Sequence, residues 1–330
     1  MTPKQCLINF FNREAADRLP CIEWAGYWDL TLDRWEKDGL ETEKVYSREF
    51  RREFGLDGMF QFGLECGHEN APKAKEFGYI NNEDDYDRLL PYLYKKESVR
   101  KTRNRIEKFY HECNKNGDIS MGAIRGFFWF PRELFGIEDH LYSFYDYPEL
   151  YHRICRDMLE YYLFAAEELL KYIQPQFIKL MEDMSYNHGP MISEDTFKEF
   201  IEPYYKKLIP VLQRNGCKVI VDSDGDITKM VPWLINAGAD GILPLERQAG
   251  VDVVKLSADY PDFFFIGGFD KMVMKHGENV MINEFERIYP AMLRGNYLPS
   301  VDHQTPPDVS LENYRVYTRL LKQYCEKARA

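Results

Sequence analysis

The stretch Lys218-Val219-Ile220-Val221-Asp222-Ser223-Asp224-Gly225 decides how this chain is read. A short β-branched apolar run stops at two acids and a glycine, and a helical stretch over 227–237 follows. Apolar runs of this length without alternation suit strands buried on both faces of a parallel sheet. The same order recurs along the chain. Residues 177–181 run into Glu182 and Asp183, and residues 297–301 run into Asp302 and His303. Further strand candidates at 19–24, 57–62, 119–124, 241–244 and 263–266 bring the number to eight, and a helical stretch follows nearly every run. This alternation, with polar residues at the strands' carboxyl ends, predicts an α/β chain folded as a (β/α)8 TIM barrel with its chemistry at that end.

Between the strands, helical spacing predicts helices over 3–14, 28–53, 98–115, 131–173, 194–214 and 310–327. Residues 63–83 lack periodicity and read as a loop over the mouth, with a hairpin ending at Tyr79-Ile80, and residues 83–97 read as a solvated, charged segment. There is no internal repeat, low-complexity tract or linker, so residues 1–330 are expected to form one barrel domain with amino-terminal helical decoration.

Composition excludes several classes. The 330 residues are 45% hydrophobic, enough for a large core, and carry a net charge of −11. That charge gives no general reason to bind nucleic acid or an anionic membrane. No apolar run approaches the roughly 20 residues needed to cross a bilayer. The start, Met1-Thr2-Pro3-Lys4-Gln5-Cys6, lacks a signal peptide's apolar segment, and the seven scattered cysteines contain no Cys-x-x-Cys pair. Both features suit a reduced, cytoplasmic protein, and a homodimer is compatible with all of them.

The strand tips bring Glu23, Glu182, Asp183, Asp222, Asp224, Glu246, Asp302 and His303 to one mouth. So many carboxylates repel one another unless a cation, retained protons or basic partners such as Arg125 and Arg247 offset them. A divalent metal is the sharper expectation, with Glu182, Asp222, Asp224 and His303 as ligands. Oxygen ligands with one imidazole suit zinc, manganese or magnesium better than copper(I), and zinc is the preferred ion. Residues 222–226 can also be read as only a capped turn, the less favoured reading, and the EF-hand loop is excluded because its twelfth position would be Trp233. His188, in Tyr186-Asn187-His188-Gly189-Pro190, either binds substrate or holds a turn. Of the aromatics at 127–130, Phe128 and Trp129 are expected to line an apolar pocket, with Phe127 and Phe130 packing a helix. Cys66-Gly67-His68 looks like a ligand pair, a pattern common by chance.

Taken in order, these strand tips resemble the uroporphyrinogen decarboxylase superfamily. The resemblance extends through Ala16-Asp17-Arg18-Leu19-Pro20, Ile192-Ser193-Glu194-Asp195-Thr196-Phe197, Pro203-Tyr204-Tyr205-Lys206-Lys207 and Ile266-Gly267-Gly268-Phe269-Asp270, and is read over the whole chain. It implies one of two activities on one barrel, porphyrinogen decarboxylation or methyl transfer linked to corrinoid proteins. The decarboxylase's arginine-rich segment falls near Trp24-Ala25-Gly26-Tyr27, which has no arginine, and its catalytic aspartate falls at Leu64. The His-x-Cys zinc pair of the thiol-methylating members falls at Asp222-Ser223-Asp224, and their later cysteine falls near Val301-Asp302. Hard ligands in place of soft ones imply the demethylating kind. Such an enzyme takes methyl from a small, aromatic methoxy or methylated compound and passes it to a corrinoid on a separate protein. The residues expected to carry this are Asp222, Asp224, Glu182 and His303 for catalysis. Glu23, Arg125, Phe128, Trp129, Tyr186, His188 and Glu246 are expected to bind substrate. A decarboxylase of the uroporphyrinogen type and a non-catalytic small-molecule-binding barrel are the alternatives.

Overall fold

The run at 219–221 is the middle of a strand in the computed structural model, which describes residues 1–64, 66–67 and 71–329. The strands are β1 (Met59–Leu64), β2 (Ile119–Arg125), β3 (Phe177–Met181), the short pair β4 (Ser185–Tyr186) and β5 (Gly189–Pro190), β6 (Lys218–Asp222), β7 (Gly241–Leu243), β8 (Phe264–Phe269) and β9 (Tyr297–Val301). All but β4 and β5 form one parallel seven-stranded sheet in chain order, β1-β2-β3-β6-β7-β8-β9, curled into a TIM-barrel-like α/β fold with helices between the strands. Val219, Ile220 and Val221 are fully buried, as a strand covered on both faces requires. Buried side chains from Leu7 to Ala328 form one contiguous apolar cluster.

Register fixes where the chemistry lies. Arg125 stands opposite Met181, Met181 opposite Asp222, Asp222 opposite Leu243, and Phe269 opposite Val301. The carboxyl ends therefore make a common rim. Glu182 follows β3, Asp222 ends β6, and His303 lies two residues past β9, so all three belong to that rim.

The expected strand at 19–24 makes no ladder. Backbone and side-chain hydrogen bonds together bind it into the gap between β9 and the segment before β1 instead. The Asp57 N–H donates to the Cys21 carbonyl at 2.9 Å, and the Asp57 carboxylate accepts the Cys21 N–H at 2.8 Å. On the other edge the Glu23 carboxylate accepts the Val301 N–H at 3.1 Å and the Ser300 hydroxyl, while the Trp24 indole donates to the Val301 carbonyl at 3.0 Å. Pro20 cannot donate to a ladder, and a carboxylate here takes the place of a strand carbonyl.

Other boundaries moved for local reasons. The helix expected over 28–53 breaks at Gly39, which adopts φ +95°, into Asp29–Lys37 and Arg48–Glu53 with a 3-10 turn between them. The 131–173 stretch is three helices, Trp129–Phe135, Ile137–Asp146 and Pro148–Leu169, and 194–214 divides at Ile201 ahead of Pro203. Residues 83–97 hold the helix Glu83–Leu89, with Asp85 and Tyr86 buried. Among the described residues no hairpin forms at Tyr79-Ile80. Both N–H groups donate to the Leu134 carbonyl, tying that loop to the end of a helix. All seven cysteines are free and buried. No helix among the described residues is long and apolar enough to cross a membrane.

Candidate functional site

Glu182 is fully buried, and its oxygens are already engaged. Oε1 accepts the Phe127 N–H at 2.9 Å and the Tyr205 hydroxyl at 2.6 Å, and Oε2 accepts the N–H groups of Phe128 at 2.7 Å and Trp129 at 3.1 Å. These amides open the helix Trp129–Phe135 and have no partner within it. Burial pushes the Glu182 carboxyl up to about 7, while the four donors favour its anion. Gly126 makes room for this arrangement, since a Cβ there would lie 1.9 Å from the Glu182 carboxyl carbon.

Basic groups within the barrel pair with most of the remaining acids. Lys179, in the middle of β3, reaches Asp222 with its Nζ at 2.9 Å and lies 5.2 Å from the centre of the Trp24 ring. Burial raises the Asp222 pKa, and Lys179 pulls against it. Arg132 pairs with Asp183 at 2.6 Å and stacks 4.2 Å from the Trp129 ring. Asp302 is fully buried and accepts the N–H groups of Arg247 and Lys271, with the Lys271 Nζ at 3.3 Å.

One acid–imidazole group stays open to the mouth. His303 Nε2 lies 3.3 Å from Asp224 Oδ2. The hydrogen bond to Asp224 raises the His303 pKa, against the pull of burial. Glu246 completes the group, holding the Gly225 N–H at 2.9 Å through Oε2, with the Lys271 Nζ 3.6 Å from its other oxygen. One ligand atom from each of Asp224, Glu246 and His303 can be chosen so that all three lie within 4.8 Å of one another, the one such acid, cysteine or histidine group among the described residues. The cavity beside them, of about 330 Å³, is walled by Trp24 and Trp129 and floored by Lys179 and Asp222, with Gln61 and Gln304 at its edges. A second cavity of about 480 Å³ shares Trp24, Ala25, Gly26 and Gln61 with it and extends to Tyr46 and Arg51.

With this geometry in place, known proteins give a family. A family model described as uroporphyrinogen decarboxylase (URO-D) matches residues 80–324. The chain belongs to the uroporphyrinogen decarboxylase family. It is therefore an enzyme of the decarboxylase or the related methyltransferase kind. The match leaves residues 1–79 outside it, so the likeness read over the whole chain narrows to the barrel from 80 onward. No curated protein matches the sequence. Among solved structures, Bacillus subtilis mannanase man26 is 12% identical, with 95% of this chain and 88% of that chain covered and a TM-score of 0.51. Bacillus subtilis mannanase BCman is 12% identical at the same coverages, with a TM-score of 0.50. At that identity these likenesses concern the barrel fold alone.

In this uroporphyrinogen decarboxylase family member, the rim sorts the expected residues. Glu182, Asp222, Asp224, His303 and Trp129 line the mouth cavity. Glu246 joins Asp224 and His303 in the close group, whereas Glu182 accepts four donors and Asp222 pairs with Lys179. Glu23 is buried against β9, hydrogen-bonded to Ser300 and Val301 and outside the cavity lining. Phe128 packs on His140, with ring centres 4.4 Å apart, so it belongs to the core with Phe127 and Phe130. Arg125 pairs with Glu133 at 2.8 Å instead of with the mouth acids. Tyr186 and His188 stand exposed on the β4–β5 turn, outside the cavity lining. His68 lies outside the described residues. Sequence reasoning missed Lys179, Arg132 and Lys271. The signal for Lys179 was a lone lysine inside an otherwise apolar parallel strand, where a buried charge needs a partner.

Proposed function

We propose that this enzyme is a methyltransferase that demethylates a small methoxylated or methylated aromatic compound and passes the methyl group to a corrinoid on a separate protein. The observation that carries the reading is the His303–Asp224 pair, which opens into a small cavity walled by two indoles. An ether oxygen that loses its methyl group as a cation equivalent must gain a proton to leave as a phenol. His303, held protonated by Asp224, supplies that proton, and solvent restores it. The indoles of Trp24 and Trp129 hold a flat ring and keep water from the departing oxygen. The reduced corrinoid, when its carrier docks, supplies the nucleophile. A cavity of about 330 Å³ with Lys179 as its lining cation suits one ring better than a porphyrinogen with its many carboxylates.

The donor set Asp224, Glu246 and His303, two carboxylates and an imidazole, also fits a divalent cation such as zinc or manganese. These three side chains would hold it, and it would supply Lewis acidity to the leaving oxygen. His303 must give up its proton to ligate, so the chain's own proton chemistry and metal binding compete at one nitrogen. The reading is tested by mixing the enzyme anaerobically with a reduced corrinoid protein and a panel of methoxybenzenes. The expected result is a shift of the corrinoid absorbance to the methylated form with equimolar phenol. No shift with any member of the panel, together with carbon dioxide release from a carboxylated substrate, would assign the enzyme to the decarboxylase kind.

A further inference from the structure

Arg51 lies in the helix Arg48–Glu53, only 5% exposed, and lines the cavity that continues the mouth toward Tyr46. A buried guanidinium normally pairs with a carboxylate, because an arginine stays charged and an uncompensated buried charge is costly. The Glu23 carboxylate lies near enough to act on Arg51 electrostatically, but the two form no ion pair. Among the described residues Arg51 makes no ion pair; its one side-chain hydrogen bond is a long one, from a terminal nitrogen to the Glu23 carbonyl at 3.4 Å, and its Nε has no partner. The Glu23 carboxylate accepts Ser300 and Val301 through Oε1, and its Oε2 makes no hydrogen bond among the described residues. Four of the five guanidinium N–H donors thus have no hydrogen bond among the described residues; the Nε is buried, and the residue lines a cavity of about 480 Å³.

A second donor stands beside it. The Tyr46 hydroxyl accepts the Tyr27 N–H at 3.2 Å, which leaves its own proton for a ligand in the same cavity. Tyr46 holds φ +73°, a conformation that a bulky residue rarely adopts and that sets its ring over Gly26. Gln61 borders both cavities.

We infer that Arg51, with the Tyr46 hydroxyl and the Gln61 amide, forms a carboxylate-binding subsite, so that the preferred substrate is an aromatic carboxylic acid bound as its anion. One guanidinium and one hydroxyl match a planar monoanion, whereas a phosphate dianion would call for a further cation that the described lining lacks. The site is polarised as a result. The cation lies at one end and the acid–imidazole group at the other, with Trp24 between them. A ring lying on Trp24 would turn its carboxylate to Arg51 and its ether oxygen to His303. This orientation rests on the demethylase reading, but the anion subsite does not.

The test is a binding titration followed by tryptophan fluorescence, with 4-methoxybenzoate and its neutral isostere 4-methoxybenzamide. The wild-type enzyme should bind the acid at least about tenfold more tightly than the amide, as a charge-assisted pair implies. In Arg51→Met the acid should fall to the affinity of the amide, with amide binding unchanged, and Arg51→Lys should recover part of the preference. Equal affinities in the wild type, or a preference that survives Arg51→Met, would overturn the inference. If Arg51→Met does not fold, the wild-type acid–amide comparison still decides, and Tyr46→Phe should weaken the acid alone. Tight acid binding without methyl transfer would sink the proposed function only. Demethylation of neutral methoxyarenes with no preference for the acid would sink this inference only.

Discussion

At the tip of β9, Asp224 holds His303 in its protonated form to higher pH than a free imidazole. Demethylation should therefore be fastest below the raised His303 pKa and fall as pH rises through it. In His303→Gln that limb should vanish and kcat should drop by about 10²-fold or more, while ring binding persists. The same shift stabilises the fold below the unfolded imidazole value, and that stabilisation is lost as pH rises through the folded pKa. Metal binding runs the other way, because a ligand nitrogen must be unprotonated. Equilibrium dialysis with zinc should show uptake that grows from pH 6 to 8 and is lost in His303→Gln and Glu246→Gln. Zinc uptake unaltered by either substitution would place the cation elsewhere. The His303–Asp224 pair was legible in the sequence because both residues sit at strand tips. The role of Lys179 was not, because it depends on which way a strand side chain points and on the neighbour that register supplies.

Between β3 and the helix Trp129–Phe135, one carboxylate does the work of a cap. Glu182→Ala would leave three buried amides and the Tyr205 hydroxyl without their acceptor. It should cost at least about 3 kcal/mol in urea unfolding. Gly126→Ala should destabilise the same junction, because its Cβ collides with Glu182. A loss near zero for Glu182→Ala would return that residue to the chemistry. Glu23 tells a similar story at the barrel seam. Burial pushes its carboxyl up to about 7, so the folded state holds a proton that the unfolded chain sheds near 4.5. Its contribution is fully present below the lower value and lost as pH rises through the higher one. Glu23→Gln should consequently gain on the wild type between pH 5 and 8, by on the order of 3 kcal/mol; a constant difference across that range would remove the seam role. The sequence could not separate these acids from catalytic ones. A carboxylate after an apolar run looks the same whether it meets backbone amides, a lysine or a substrate.

Across the whole molecule, the sequence made the barrel legible because its central strands are buried on both faces and write themselves as uninterrupted apolar runs. Seven of the eight expected runs form the sheet. The eighth, at 19–24, is held by isolated backbone bonds and by side chains, and that hydrogen-bond pattern could not be read from residue types. The rim followed from the barrel, since a parallel sheet puts every strand's carboxyl end on one side. The lining of that rim carries two indoles, paired acids, and one open acid–imidazole group. The most direct measurement uses 4-methoxybenzoate carrying separate isotopic labels in its methyl and carboxyl carbons, incubated with the enzyme and a reduced corrinoid protein and followed by mass spectrometry. The expected result is methyl label on the corrinoid and 4-hydroxybenzoate that retains its carboxyl label. Carboxyl label released as carbon dioxide, with the methyl group still on the ring, would contradict the account.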